Sequence, residues 1–150
     1  MHVNPMHFTR AQTVKLGAYT KLMRATDTLT RYIHAYLTDF ELTVTQFGVL
    51  EALFHLGPLC QKEIAQKILK STGNITQTID NLERRQLVHR EQDPKDRRYF
   101  RVQLTEDGHR LMAKVLPIHL SRVEQAFAPL KADEVEILGR LLKTLGKHAV

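Results

Sequence analysis

Residues 75–104 read ITQTIDNLERRQLVHREQDPKDRRYFRVQL, and the spacing of their apolar side chains changes once, between Leu82 and Leu87. Before the change, Ile75, Ile79 and Leu82 recur at steps of four and three, the period of one helix face. Thr72, Asn74, Thr76, Gln77 and Asn81 fall largely off that face, so its outward side is small and polar. After the change, Leu87 to Gln92 and Tyr99 to Leu104 read as strands. In the second strand Phe100, Val102 and Leu104 alternate with Tyr99, Arg101 and Gln103. Asp93-Pro94-Lys95-Asp96-Arg97-Arg98 between them is a polar turn. A helix with a polar face is thus followed at once by a hairpin with a basic tip.

Upstream, Cys60-Gln61-Lys62-Glu63 opens a short helix with Ile64, Ala65 and Ile68 inward, and Ser71 or Thr72 can cap the helix that follows. Earlier still, Thr43-Val44-Thr45-Gln46 has the spacing of a capping box. Phe47, Leu50, Leu53 and Phe54 then form an apolar face, and Gly57-Pro58 ends it. Met1 to Gln12 has weak periodicity and reads as an arm. From Val14 the pattern is helical, with Ala18, Leu22, Ala25, Leu29, Tyr32 and Tyr36 on one face. A seam this long predicts packing against another helix, in the same chain or a second copy. Downstream, Thr105 caps a helix running toward Leu130, with a kink expected at Pro117. Asp133 and Glu134 lie in the first turn of a last helix, where acids favour the dipole. Ile137, Leu138, Leu141, Leu142 and Leu145 line it, and Gly146 marks its expected end. The expected fold is mainly α with a small β-hairpin wing. A winged helix-turn-helix lobe spans 42–104, and helices over 10–40 and 105–150 form a dimerisation base.

The 150 residues are 43% hydrophobic and 25% charged, which excludes a disordered chain. A net charge of +6 and a pI of about 9.6 fit a polyanionic partner. The single cysteine, Cys60, forbids an intrachain disulfide and fits a reducing compartment. No secretory signal pattern opens the chain, and no stretch approaches the ~20 apolar residues of a membrane span. A soluble cytoplasmic protein is expected, with no membrane partner. No P-loop, zinc-protease helix or dinucleotide fingerprint is present, so no enzyme and no cofactor are expected. The eight histidines are scattered, and no two share the i,i+4 spacing of ligands on one helix face, so no metal site is assigned.

A short helix, a tight turn, a second helix with a polar face and a basic hairpin, in that order, describe a winged helix-turn-helix. In such a motif the second helix enters the major groove of double-stranded DNA. Gln77 and Asn81 are amides that pair with adenine N6 and N7, and Thr76 reaches a base or a phosphate. Ser71, Thr72 and Asn74 flank them. Between Arg84 and Arg101, seven cations (Arg84, Arg85, Arg90, Lys95, Arg97, Arg98, Arg101) face Glu91, Asp93 and Asp96. An arginine at the tip, Arg97 or Arg98, suits the negative potential of a minor groove. Asp96 is read as the acid that orients it. The competing classes are an architectural protein that binds DNA without reading sequence and a winged-helix protein-interaction module.

Leu42-Thr43-Val44-Thr45-Gln46-Phe47-Gly48-Val49-Leu50, the run from Ile75 to Arg85, and Asp93 to Arg98 followed by Val102-Gln103-Leu104-Thr105-Glu106-Asp107-Gly108 resemble the MarR family of bacterial regulators. The resemblance runs from about Val14 to the end. It implies a homodimer whose first, fifth and sixth helices pack together, with two winged lobes on an inverted-repeat operator. It also implies that Arg98 reaches the minor groove and that Asp96 braces it. Many members repress their own gene and release DNA on binding small aromatic or lipophilic molecules. Tyr19, Met23, Tyr36, Phe54 and His55, with Tyr32 and His119 beside them, are the candidate lining for such an effector. The stretches Gly73-Asn74-Ile75 and Asp80-Asn81-Leu82-Glu83 resemble quinone- and phenol-sensing members. Two positions depart from the family pattern. Gln86 stands where glycine is usual, and a non-glycine at positive φ is strained. Cys60 stands where serine or threonine usually caps a helix, which raises the alternative of a redox-responsive regulator, because a helix N-terminus favours a thiolate. Peroxide-sensing members carry their reactive cysteine in the first helix, where this chain has none.

Overall fold

A computed structural model describes residues 7–68 and 72–148. The elements run α1 (Arg10–His34), a 3-10 helix (Ala35–Phe40), α2 (Val44–Leu56), β1 (Leu59–Cys60), α3 (Gln61–Ile68) and α4 (Thr72–Arg84). They continue with β2 (Val88–Gln92), β3 (Phe100–Leu104), α5 (Glu106–Phe127) and α6 (Ala132–His148). The chain divides into two compact units: Met1–Ile33 with Ala126–Val150, and His34–Gln125.

The unit His34–Gln125 has one core. Val49, Leu50, Ile64, Ile75, Ile79, Leu82, Met112 and Val115 are fully buried, and Val88 and Val102 nearly so. The capping box opens α2 as its spacing demands: Gln46 N–H donates to Thr43 Oγ1 at 3.1 Å, and Thr43 N–H donates to Gln46 Oε1 at 3.0 Å. Gly57, at φ 76°, ends the helix. The hairpin expected from the sequence is the larger part of a three-stranded antiparallel sheet of order β1-β3-β2. Leu59 and Cys60 pair with Val102 and Arg101, and Val88 to Gln92 pair with Leu104 to Phe100. Cys60 therefore lies in a strand, not in the first turn of α3. It still acts as that helix's cap residue, because its backbone N–H donates to Glu63 Oε2 at 2.8 Å.

Gln86 adopts the left-handed backbone, at φ 58°, where glycine is usual. Leu87 N–H bonds Leu82 C=O at 3.0 Å and Gln86 N–H bonds Glu83 C=O at 2.9 Å, which is the Schellman ending of α4. The Gln86 carbonyl accepts from Thr105 Oγ1 at 2.6 Å, so α5 begins by fixing the strained turn. Thr105 Oγ1 also caps α5, accepting from Gly108 N–H at 3.0 Å. Helix α5 continues through Pro117 to Phe127 as a single element, ending short of Leu130.

Within the unit Met1–Ile33 and Ala126–Val150, α1 starts earlier than Val14. Thr9 and Gln12 form a reciprocal cap, with Thr9 N–H donating to Gln12 Oε1 at 2.8 Å and Gln12 N–H to Thr9 Oγ1 at 3.2 Å. Helix α6 runs past Gly146 to His148. Lys15, Ala18, Tyr19, Leu22, Ala25, Leu138, Leu142 and Leu145 line an apolar groove of about 720 Å³. Tyr36 departs from the expected seam. It belongs to the 3-10 helix after α1 and is buried in the other unit's core.

Candidate nucleic-acid interface

Helix α4 is held by its apolar face and by a pair of ions. Arg90 on β2 reaches Asp80 Oδ1 and Glu83 Oε2, each at 2.5 Å, which ties the helix to the sheet behind it. Arg85, just past its end, donates to the carbonyls of Glu41 at 2.7 Å and Phe40 at 3.2 Å. The polar side chains expected to read bases are not equivalent. Thr76 is bonded by Gln61 of α3, and Asn81 accepts from Arg84. Asn74 and Gln77 are exposed, and the Gln77 amide makes no hydrogen bond among the described residues. Ser71 lies outside the described residues, as does the side chain of Thr72. Thr78, near the core face, satisfies itself on Asn74 C=O at 2.8 Å.

The wing tip is built around two aspartates. Asp93 Oδ1 accepts from Lys95 N–H at 2.8 Å, and Asp93 Oδ2 lies 3.3 Å from Arg101 Nε. Asp96 takes Arg98 in a fork, with Nε at 3.0 Å and Nη2 at 2.7 Å, and also accepts the Arg98 backbone N–H at 3.1 Å. The Arg98 side chain and then its N–H hold the Asp96 carboxyl below its ordinary range. The arginine is 82% exposed, so the pairing aims a charge outward. Lys95 and Arg97 are exposed beside it. Cys60 is half-buried, and its neighbour Glu63 is held ionised, first by the Cys60 backbone N–H and then by the thiol.

The effector candidates are divided between the two units. Tyr19 lines the groove of the α1 and α6 unit, and Met23 is exposed on α1. Phe54 and His55 line a groove of about 560 Å³ with Leu116, Pro117, His119 and Leu120. His55 and His119 also border a second groove of about 490 Å³, lined in addition by Phe47, Lys67 and Ile68. Tyr36 shares a 3.2 Å hydrogen bond with Nδ1 of His119, which lines both grooves. Burial first, then Glu51, against an opposing Arg122, pushes the Tyr36 hydroxyl up to about 12. His119 stacks on His34, with ring centroids 5.7 Å apart. Its pKa is lowered by burial and by His34, against Glu51. A histidine lowered in the folded state favours the neutral ring. Its stabilising contribution is complete above the ordinary value of 6.5 and is lost as pH falls through the lowered value. Urea unfolding from pH 8 to pH 5 is expected to show that loss, and His119→Gln is expected to reduce it. An identical pH dependence in the variant would assign the loss to other groups. Among the described residues, no three His, Cys, Asp or Glu side chains gather as a metal site, and no helix is long and apolar enough to cross a membrane.

The sequence model of the MarR family matches residues 42–100, which take in α2 to the start of β3. The chain is 43% identical over 105 residues to the HTH-type transcriptional regulator YkoM of Bacillus subtilis, covering 70% of this chain and 68% of that one. It is 33% identical to the HTH-type transcriptional regulator MhqR of the same organism, covering 89% of this chain and 92% of that protein. Its fold is similar to that of Bordetella bronchiseptica BpsR, whose DNA binding is regulated by 6-hydroxynicotinic acid. The TM-score is 0.78, with 26% identity over 87% of this chain and 98% of the other. With its winged helix-turn-helix and these relatives, the chain belongs to the MarR family of transcriptional regulators.

Proposed function

We propose that the protein is a homodimeric, sequence-specific repressor that holds an inverted-repeat operator and releases it when a small aromatic or lipophilic molecule binds. The observation that carries this reading is the polar face of α4, with the Gln77 amide open, on the same compact unit as a forked Arg98–Asp96 pair. Asn74, Thr76, Gln77 and Asn81, with Ser71 and Thr72 before them, meet the major groove. Lys95, Arg97 and Arg98, oriented by Asp96, meet the backbone and the minor groove. The apolar groove between α1 and α6 supports dimerisation, since a second copy covers surface that is otherwise left in water. Two lobes then sit about 34–36 Å apart, one helical turn of DNA. The groove at Phe54, His55 and His119 has the volume of a small-ligand site, and the regulation of BpsR by a small aromatic acid supports that use. The lone Cys60 supports action in a reducing compartment such as the cytoplasm.

Gln77→Ala tests the face directly. Binding to systematically substituted operators is expected to lose about 1–3 kcal/mol of discrimination at one base pair per half-site, with other positions unchanged. Unchanged preference at every position would remove Gln77 from the readout.

A further inference from the structure

Tyr99 and Phe100 are 58% and 52% exposed, where the chain passes from the basic tip into β3. Strand alternation puts Phe100, the first residue of β3, on the face of Val102 and Leu104, beyond the edge of the core, and Tyr99 precedes it in the turn. The wing thus carries two adjacent exposed aromatic rings. Its backbone is fixed by Asp93 N–H donating to Tyr99 C=O at 2.8 Å and Tyr99 N–H to Asp96 C=O at 3.0 Å. The guanidinium of Arg98 lies 5.9 Å from the centre of the Tyr99 ring. Lys95, Arg97 and Arg98 are exposed just before the rings in the same turn, which fits an occupant that is anionic and also presents apolar faces. The minor groove of DNA meets both conditions. Its floor has a negative potential that attracts arginine, and its walls are the C–H edges of deoxyribose.

We propose that Tyr99 and Phe100 are DNA-contact residues, packing on the sugar walls of the minor groove that Arg98 enters. This rests on the DNA-binding function proposed above. The contact is uncharged and releases no counterions, which separates it from the arginines experimentally. The test uses the full chain and a duplex that it selects from a random library. Affinity is measured between about 50 and 300 mM salt for the protein, for Arg98→Ala and for the double variant Tyr99→Ser/Phe100→Ser. The double variant is expected to bind about tenfold more weakly at every salt concentration, with the slope against salt preserved. Unchanged affinity, or a slope that falls as it does for Arg98→Ala, overturns the proposal while leaving DNA binding intact. Failure of the unaltered protein to select any duplex overturns both. Since the chain has no tryptophan, Phe100→Trp supplies a sole reporter. Its emission is expected to shift and to be shielded from an aqueous quencher when DNA is added. Emission and quenching that ignore saturating DNA overturn the proposal.

Discussion

Gly108→Ala is expected to lower the unfolding free energy by about 3 kcal/mol and the melting temperature by about 10 °C. A Cβ at position 108 would lie 2.2 Å from the backbone oxygen of Leu87 and 3.2 Å from Leu104 Cδ2. The oxygen cannot swing aside, because it accepts the Thr105 N–H at 3.1 Å and follows directly on the left-handed turn at Gln86. The whole first turn of α5 must lift instead. That breaks the Thr105 bonds to Gln86 and Gly108, which join the end of α4 to the start of α5. DNA binding is expected to fall with stability, since the same turn sets the angle between α4 and β2. Thermal unfolding followed by circular dichroism is the measurement. A melting temperature within a degree or two of the unaltered protein would mean that α5 does not approach Leu87 this closely.

Arg98→Ala is expected to weaken DNA binding about tenfold near physiological salt and to reduce the salt slope by roughly one. The charge is exposed and pre-aimed, so its loss costs the folded protein little and the complex much. Asp96→Asn separates orientation from charge. It makes the wing more positive, so an account based on charge alone expects tighter binding. The fork from Arg98 to both Asp96 oxygens expects weaker binding, because an amide cannot hold a guanidinium in that way. Affinity equal to or above that of the unaltered protein would deny Asp96 its positioning role.

The elements legible in the sequence are those whose signal is local. The Thr43–Gln46 box, the Gly57 stop, the apolar period of α4 and the alternation of β3 all act within a few residues, and each stands where its spacing puts it. What was not legible depends on distant partners or on too few residues. Strand β1 has two residues, too few to show a period, and exists because Leu59 and Cys60 find the free edge of β3. Tyr36 extends the α1 repeat by spacing, but the backbone turns to 3-10 after His34 and carries the ring into the core. On the candidate face, residue type alone made Thr76, Gln77 and Asn81 equal. The pairings to Gln61 and Arg84 leave Gln77 as the open one. The reciprocal Thr9–Gln12 cap was visible in principle, being the same pattern as Thr43–Gln46, but no apolar run follows it closely enough to draw attention. The wing rings look like ordinary strand residues until their exposure is known.

Selection of duplexes from a random double-stranded library at ~150 mM salt tests the central claim, that two copies of this chain read DNA sequence together. Enrichment of an inverted repeat with half-sites centred about one helical turn apart is the expected result. Salt-sensitive binding with no enriched sequence, or no binding at all, would contradict it.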